Sequence, residues 1–60
     1  MAITIEIRER QKHHLGVLLN IKKRNPNGVD GLQKDIEDAV MVMEQEDVAF
    51  VEKIVGVKAI

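Results

Sequence analysis

The chain has 60 residues and a net charge of −1, so it is expected to form one small domain, near the lower size limit for a self-sufficient hydrophobic core. It contains no Cys, which excludes disulfides and zinc–thiolate sites as sources of stability. Ser, Tyr and Trp are also absent and Thr4 is the only hydroxyl side chain, so nucleophilic catalysis has almost no suitable groups. We therefore expect a non-enzymatic protein without a cofactor, whose core is completed by self-association.

The sequence carries no pattern of a secreted or membrane protein. Residues 1–7 lack the basic segment and the continuous apolar stretch of a signal peptide. The longest unbroken apolar run, residues 39–43, has five residues, whereas a membrane-spanning helix needs about 20. We therefore expect a cytoplasmic location and no membrane partner.

The charges are divided unevenly along the chain. Residues 1–28 carry six basic and two acidic side chains, a net charge of +4, and residues 29–60 carry three basic and eight acidic ones, a net charge of −5. This division favours packing of a basic first half against an acidic second half, in the same chain or in another one.

The first predicted element is a helix from about residue 5 to residue 24. Apolar side chains follow the three-and-four spacing of one helical face at Ile7, Leu15, Leu18, Leu19 and Ile21. Its start is ambiguous, because Ile3, Ile5 and Ile7 also alternate as they would in a half-buried strand. Asn25, Pro26, Asn27 and Gly28 then favour a reversal of the chain, with the turn extending over residues 25–30.

A second helix is predicted from about residue 31 to residue 55, with Asp30 and Gln33 as an approximate capping box. Helical spacing continues through Leu32, Ile36, Val40, Met43, Phe50 and Ile54, and Asp47 is the only charged residue in this series. One bent helix is the main expectation. The alternatives are a break near Gln45, with Asp47 capping a short third helix, and a C-terminal strand within residues 54–60 that pairs with an N-terminal one.

These elements predict an all-α fold, an antiparallel helical hairpin with a possible short third helix; the alternative is an α+β fold with paired terminal strands. Residues 39–43 would be apolar on all sides of their helix, which indicates a buried helix. A lone hairpin cannot cover them, so we expect two hairpins to form a four-helix bundle, unless a third helix folds back over the run within a monomer. The predicted oligomer interface comprises Leu15, Leu18, Ile36, Val40, Met41, Met43, Phe50 and Val51.

The resulting functional hypothesis is a small protein-interaction or regulatory protein that acts as a homo-oligomer, most simply a dimer, and binds another protein. The alternative is a dimer that binds duplex nucleic acid through the first helix, with candidate phosphate contacts at Arg8, Lys12, Lys22, Lys23 and Arg24. No DNA-binding motif supports this alternative. We expect the basic residues at the end of the first helix to lie near Asp30 or Asp35 instead.

A metal site is considered and not predicted. Glu6, Glu9 and His13 fall on one helical face at spacings of three and four, which could suit a divalent cation. The Glu-x-x-His pairing of di-iron bundles would need a glutamate at position 10 or 11, where this chain has Arg10 and Gln11. The three residues are therefore expected to form a solvated face of mixed charge.

Overall fold

A computed structural model describes residues 5–60 and shows three helices, α1 (Ile5–Arg24), α2 (Leu32–Met41) and α3 (Gln45–Val55). The prediction of an all-α fold is confirmed, and α1 has the predicted bounds. Within residues 5–60 there is no strand: residues 5–7 are helical, and the tail after α3 is irregular. Ile3, the first residue of the possible N-terminal strand, lies outside the described residues.

The predicted turn after α1 is confirmed, whereas the predicted capping box is not. The Gly28 amide donates to the Asn25 carbonyl at 2.8 Å, and Gly28 has a φ of +88°, a left-handed conformation that favours glycine. Gly31 is the residue before α2 and has no side-chain cap. Asp30 therefore does not cap the helix, and the Gln33 side chain donates a hydrogen bond to the Ala59 carbonyl in the tail.

The single long helix predicted for residues 31–55 is wrong, because the chain reverses between Met41 and Gln45. A physical reason lies in the acidic run that follows the break. Glu46 and Asp47 occupy the first turn of α3, where the partial positive charge of a helix N-terminus favours carboxylates. The break near Gln45 agrees with the alternative prediction, but Glu44, not Asp47, is the residue before the helix.

The three helices form a slab of 39 × 21 × 15 Å in which α1 packs against both other helices. α2 runs antiparallel to α1, and α3 runs parallel to α1. The direction of α3 follows from its two ends: Arg8 near the start of α1 contacts Asp47, and Lys23 near its end contacts the Val55 carbonyl. α2 and α3 meet each other far less than either meets α1.

The core lies along one face of α1, at the predicted residues Leu15, Leu18 and Leu19. Two other residues assigned to that face, Ile7 and Ile21, are not buried and are 41% and 37% exposed. The rest of the core comes from α2, α3 and the tail: Leu32, Ile36, Val51, Val55 and Ala59.

The predicted register of α3 is wrong. Phe50 and Ile54 continue the apolar spacing of α2, yet both are exposed, and Val51 and Val55 face the core in their place. The reason is the break: α3 starts a new helix, so the phase of α2 does not carry over.

Arg8 and Asp47 form the strongest polar contact between α1 and α3. The Arg8 guanidinium donates to both carboxylate oxygens, from Nε at 2.9 Å and from Nη2 at 2.8 Å, and Nη2 also reaches Glu46 at 3.1 Å. The Asp47 side chain is only 9% exposed. The hydrogen bonds and the charge of Arg8 hold the pKa of Asp47 below its usual range. The charged residue in the apolar series thus has a specific basic partner.

The tail after α3 is tied to all three helices at Ala59, which is fully buried. The Glu52 carboxylate of α3 accepts from the Ala59 amide at 2.6 Å, and the Gln33 amide of α2 donates to the Ala59 carbonyl at 2.8 Å. From α1, Lys22 Nζ donates to the Lys58 carbonyl at 2.9 Å and to Gln33 Oε1 at 3.3 Å. These contacts hold the tail against side chains of α1, α2 and α3.

Replacement of Asp47 tests the contact with Arg8 through its pH dependence. Because the folded state lowers the pKa of Asp47, the contact stabilises the fold above the ordinary pKa of about 3.9. That contribution is lost as the pH falls through the lowered value. We expect Asp47→Asn to have a lower free energy of unfolding than the wild type at pH 7 and to lose less stability between pH 5 and 2, and urea unfolding measures both.

The matched control is Asp38→Asn, which removes an exposed carboxylate of α2. This variant should keep the stability and the acid response of the wild type. Equal pH profiles for Asp47→Asn and the wild type would show that the contact with Arg8 does not stabilise the fold.

Candidate functional site

Exposed apolar side chains from two helices line the open groove between α1 and α3. Val17, Phe50 and Ile54 line this groove and are 45%, 53% and 67% exposed. We call this groove, with the three apolar side chains that line it, the outer groove. Its polar border includes Glu9, His13 and Asn20 of α1. An apolar strip with a polar rim is typical of a protein-contact surface.

Gly16 lies in the outer groove and leaves it without a side chain at that position. A Cβ at Gly16 would meet Val51 Cγ1 at 3.8 Å, an ordinary van der Waals distance. The packing of α1 on α3 therefore does not require glycine here, although glycine in a helix costs about 1 kcal/mol relative to alanine. The absence of a side chain keeps the groove open at this position.

Lys12 orients the aromatic ring of the outer groove. Its ammonium lies 5.2 Å from the centroid of the Phe50 ring, and its Nζ is 3.0 Å from a Glu9 carboxylate oxygen. A cation over a ring face is attracted by the ring quadrupole. The ring is thus held at one edge of the groove, and Lys12 adds no uncompensated charge there.

The structure places four residues of the predicted oligomer interface in the chain's own core: Leu15, Leu18, Ile36 and Val51. Val40 and Met43 are partly buried against the same core. Met41 is 81% exposed on α2, and Phe50 is exposed on α3. Only these last two offer substantial apolar surface, and they lie in different grooves.

The run at residues 39–43 is therefore a smaller source of uncovered surface than its composition indicates. Ala39, Val40 and Met43 pack against the core, while Met41 and Val42 remain exposed at the end of α2. The third helix does fold back within the chain, as the alternative prediction has it, but it packs on α1. Uncovered apolar surface therefore lies both at Met41 and Val42 and in the outer groove.

Most of the candidate nucleic-acid contacts are engaged within the chain. Arg8 binds Asp47 and Glu46, and Lys12 binds Glu9. Lys22 and Lys23 donate to carbonyl groups of the tail and of α3, not to Asp30 or Asp35 as predicted. Arg24 is exposed. A duplex would have to compete with these contacts for four of the five side chains.

The described residues 5–60 contain no group of three His, Cys, Asp or Glu side chains arranged to hold a metal ion. In the same part of the chain, no helix has both the length and the apolar character needed to cross a bilayer. Glu6, His13 and Glu9, considered above as ligands, are exposed on α1. Glu6 and Glu9 pair instead with Arg10 at 3.6 Å and with Lys12.

Comparison with known proteins gives no family. No family model matches the sequence, and neither the curated proteins nor the solved structures include a significant match. The chain's own surface is therefore the basis on which a function can be proposed.

Alanine substitutions at the end of α1 separate a structural role from nucleic-acid binding. We expect Lys22→Ala and Lys23→Ala each to lower the free energy of unfolding by at least about 1 kcal/mol, since Lys23 loses one hydrogen bond from a charged donor and Lys22 loses more than one. Arg24→Ala should leave stability unchanged. Thermal unfolding of the three variants measures this directly.

Titration with duplex DNA at low salt tests whether the end of α1 binds nucleic acid. Micromolar binding that weakens steeply with salt, and that all three substitutions reduce equally, would support a phosphate-binding role for this end of α1.

Proposed function

We propose that the protein is a small, non-enzymatic interaction protein that acts as a homo-oligomer, most simply a dimer, through the outer groove. The supporting observation is that Val17, Phe50 and Ile54 line the same groove and remain about half exposed although α3 has folded back on α1. Full burial of such a side chain contributes about 1.5–3 kcal/mol, so covering the exposed part of all three favours association. In a chain of this size that gain is a substantial part of the total stability.

Association through this surface gives a four-helix arrangement with a different composition from the one expected from sequence. Each chain would contribute α1 and α3, which border the groove, instead of α1 and α2. The contact area is small, so we expect a dimer whose population depends on concentration in the micromolar range.

Dimerisation of this kind leaves α2 available for a further protein partner. Asp35, Glu37 and Asp38 are exposed on it, and Met41 and Val42 lie at its end. Association through the outer groove and partner binding at α2 would use different surfaces. One chain would then do both at once, which suits a regulatory role.

Phe50→Gln tests the outer groove as the contact surface. Glutamine removes the apolar ring but has a better helix propensity than phenylalanine, so α3 should stay folded. We expect the variant to keep its helical circular dichroism and to sediment as a monomer at concentrations where the wild type is dimeric.

The matched control is Met41→Gln, which removes a more exposed apolar side chain from the other groove. Its sedimentation should equal that of the wild type. A compact 6.8 kDa wild-type monomer at high micromolar concentration would contradict the proposed homo-oligomer.

A further inference from the structure

The exposed stripe of α3 beside the outer groove is self-complementary in charge. Glu46, Phe50 and Lys53 are four and three residues apart, so they follow one another along one side of the helix. Glu46 lies in the first turn and Lys53 in the last turn, about 10 Å apart along the axis. The stripe thus has a negative end, an aromatic centre and a positive end.

We infer that the occupant of this surface is a second copy of the chain, with its α3 packed antiparallel against α3 about a two-fold axis near residues 49 and 50. This inference deepens the proposed function and rests on it. An isologous contact brings the same patch of both copies together, so every pair across the axis occurs twice. Here the axis would place Glu46 opposite the partner's Lys53, and Lys53 opposite the partner's Glu46.

The same axis matches large and small side chains. Phe50 would lie over the partner's Ala49, whose methyl group leaves room for a ring, and Ala49 is exposed in the single chain. A parallel arrangement of the two copies would instead place Glu46 against Glu46 and Lys53 against Lys53, which like-charge repulsion disfavours. The charge order therefore selects the antiparallel arrangement.

Both charged residues are available for this contact. The Glu46 side chain is 78% exposed even though one of its oxygens lies 3.1 Å from Arg8. A carboxylate can accept from several donors at once, so its bond with Arg8 leaves capacity for a second basic group. Lys53 is exposed near the end of α3.

A charge-reversal experiment tests the geometry. Glu46→Lys gives a stripe with two positive ends, and Lys53→Glu gives one with two negative ends. Each variant alone should dimerise about tenfold more weakly than the wild type, because two attractive pairs become two repulsive ones. An equimolar mixture of the two variants should recover the wild-type dissociation constant, because both pairs across the axis are then Glu with Lys.

The mixture separates association from folding, since mixing cannot repair a defect within either chain. Sedimentation equilibrium of each variant and of the mixture gives the dissociation constants, and thermal unfolding of each variant reports its fold. Lys34→Glu on α2 is the control with the same change of net charge. It should dimerise as the wild type does, and its heterodimer with Glu46→Lys, which has one attractive and one repulsive pair across the axis, should bind more weakly than the wild-type dimer.

The outcomes distinguish this geometry from the proposed function. Failure of the mixture to recover would overturn the antiparallel arrangement, and the proposed function would stand if Phe50→Gln still abolishes the dimer. A wild-type protein that stays monomeric at high micromolar concentration would overturn both.

Discussion

Basic side chains of α1 hold both ends of α3, and the rest of the fold depends on where that helix lies. Arg8 binds Asp47 in its first turn, and Lys23 donates to the Val55 carbonyl in its last. Each contact also suits the helix dipole, which favours a carboxylate at the N-terminus and a cation at the C-terminus. With α3 fixed in this way, Val51 and Val55 cover α1 and the tail reaches the site where Ala59 is buried.

The direction of α3 follows from the short connection that precedes it. Three residues separate α2 from α3, and an extended chain of that length spans about 10 Å, far less than the length of α1. α3 must therefore begin beside the end of α2, which lies at the Arg8 end of α1, and run parallel to α1. The basic residues at the far end of α1 consequently meet helix and tail carbonyls, and the predicted pairs with Asp30 or Asp35 do not form.

Local signals in the sequence were enough to predict α1 and the turn at residues 25–28, because periodicity, proline and glycine act over a few residues. Such local signals could not predict which side chains of α3 face the core. Apolar spacing continues from Ile36 to Ile54 with Asp47 as the one charged exception, so it hides the break, although the acidic run at residues 44–47 is a recognisable helix-start signal. Asp47 stood out in that series, but its partner lies 39 residues away and periodicity cannot identify it.

The break in the helix also accounts for the candidate site. Had the phase of α2 continued, Phe50 and Ile54 would face the core and the chain would present no outer groove. The new phase buries two valines and leaves the larger side chains outside, an arrangement that gives up apolar burial within one chain. Because the exposed residues belong to α3, covering them with a second copy would stabilise a helix that packs mainly against α1 and the tail. If the chain associates as proposed, formation of the dimer increases the stability of α3.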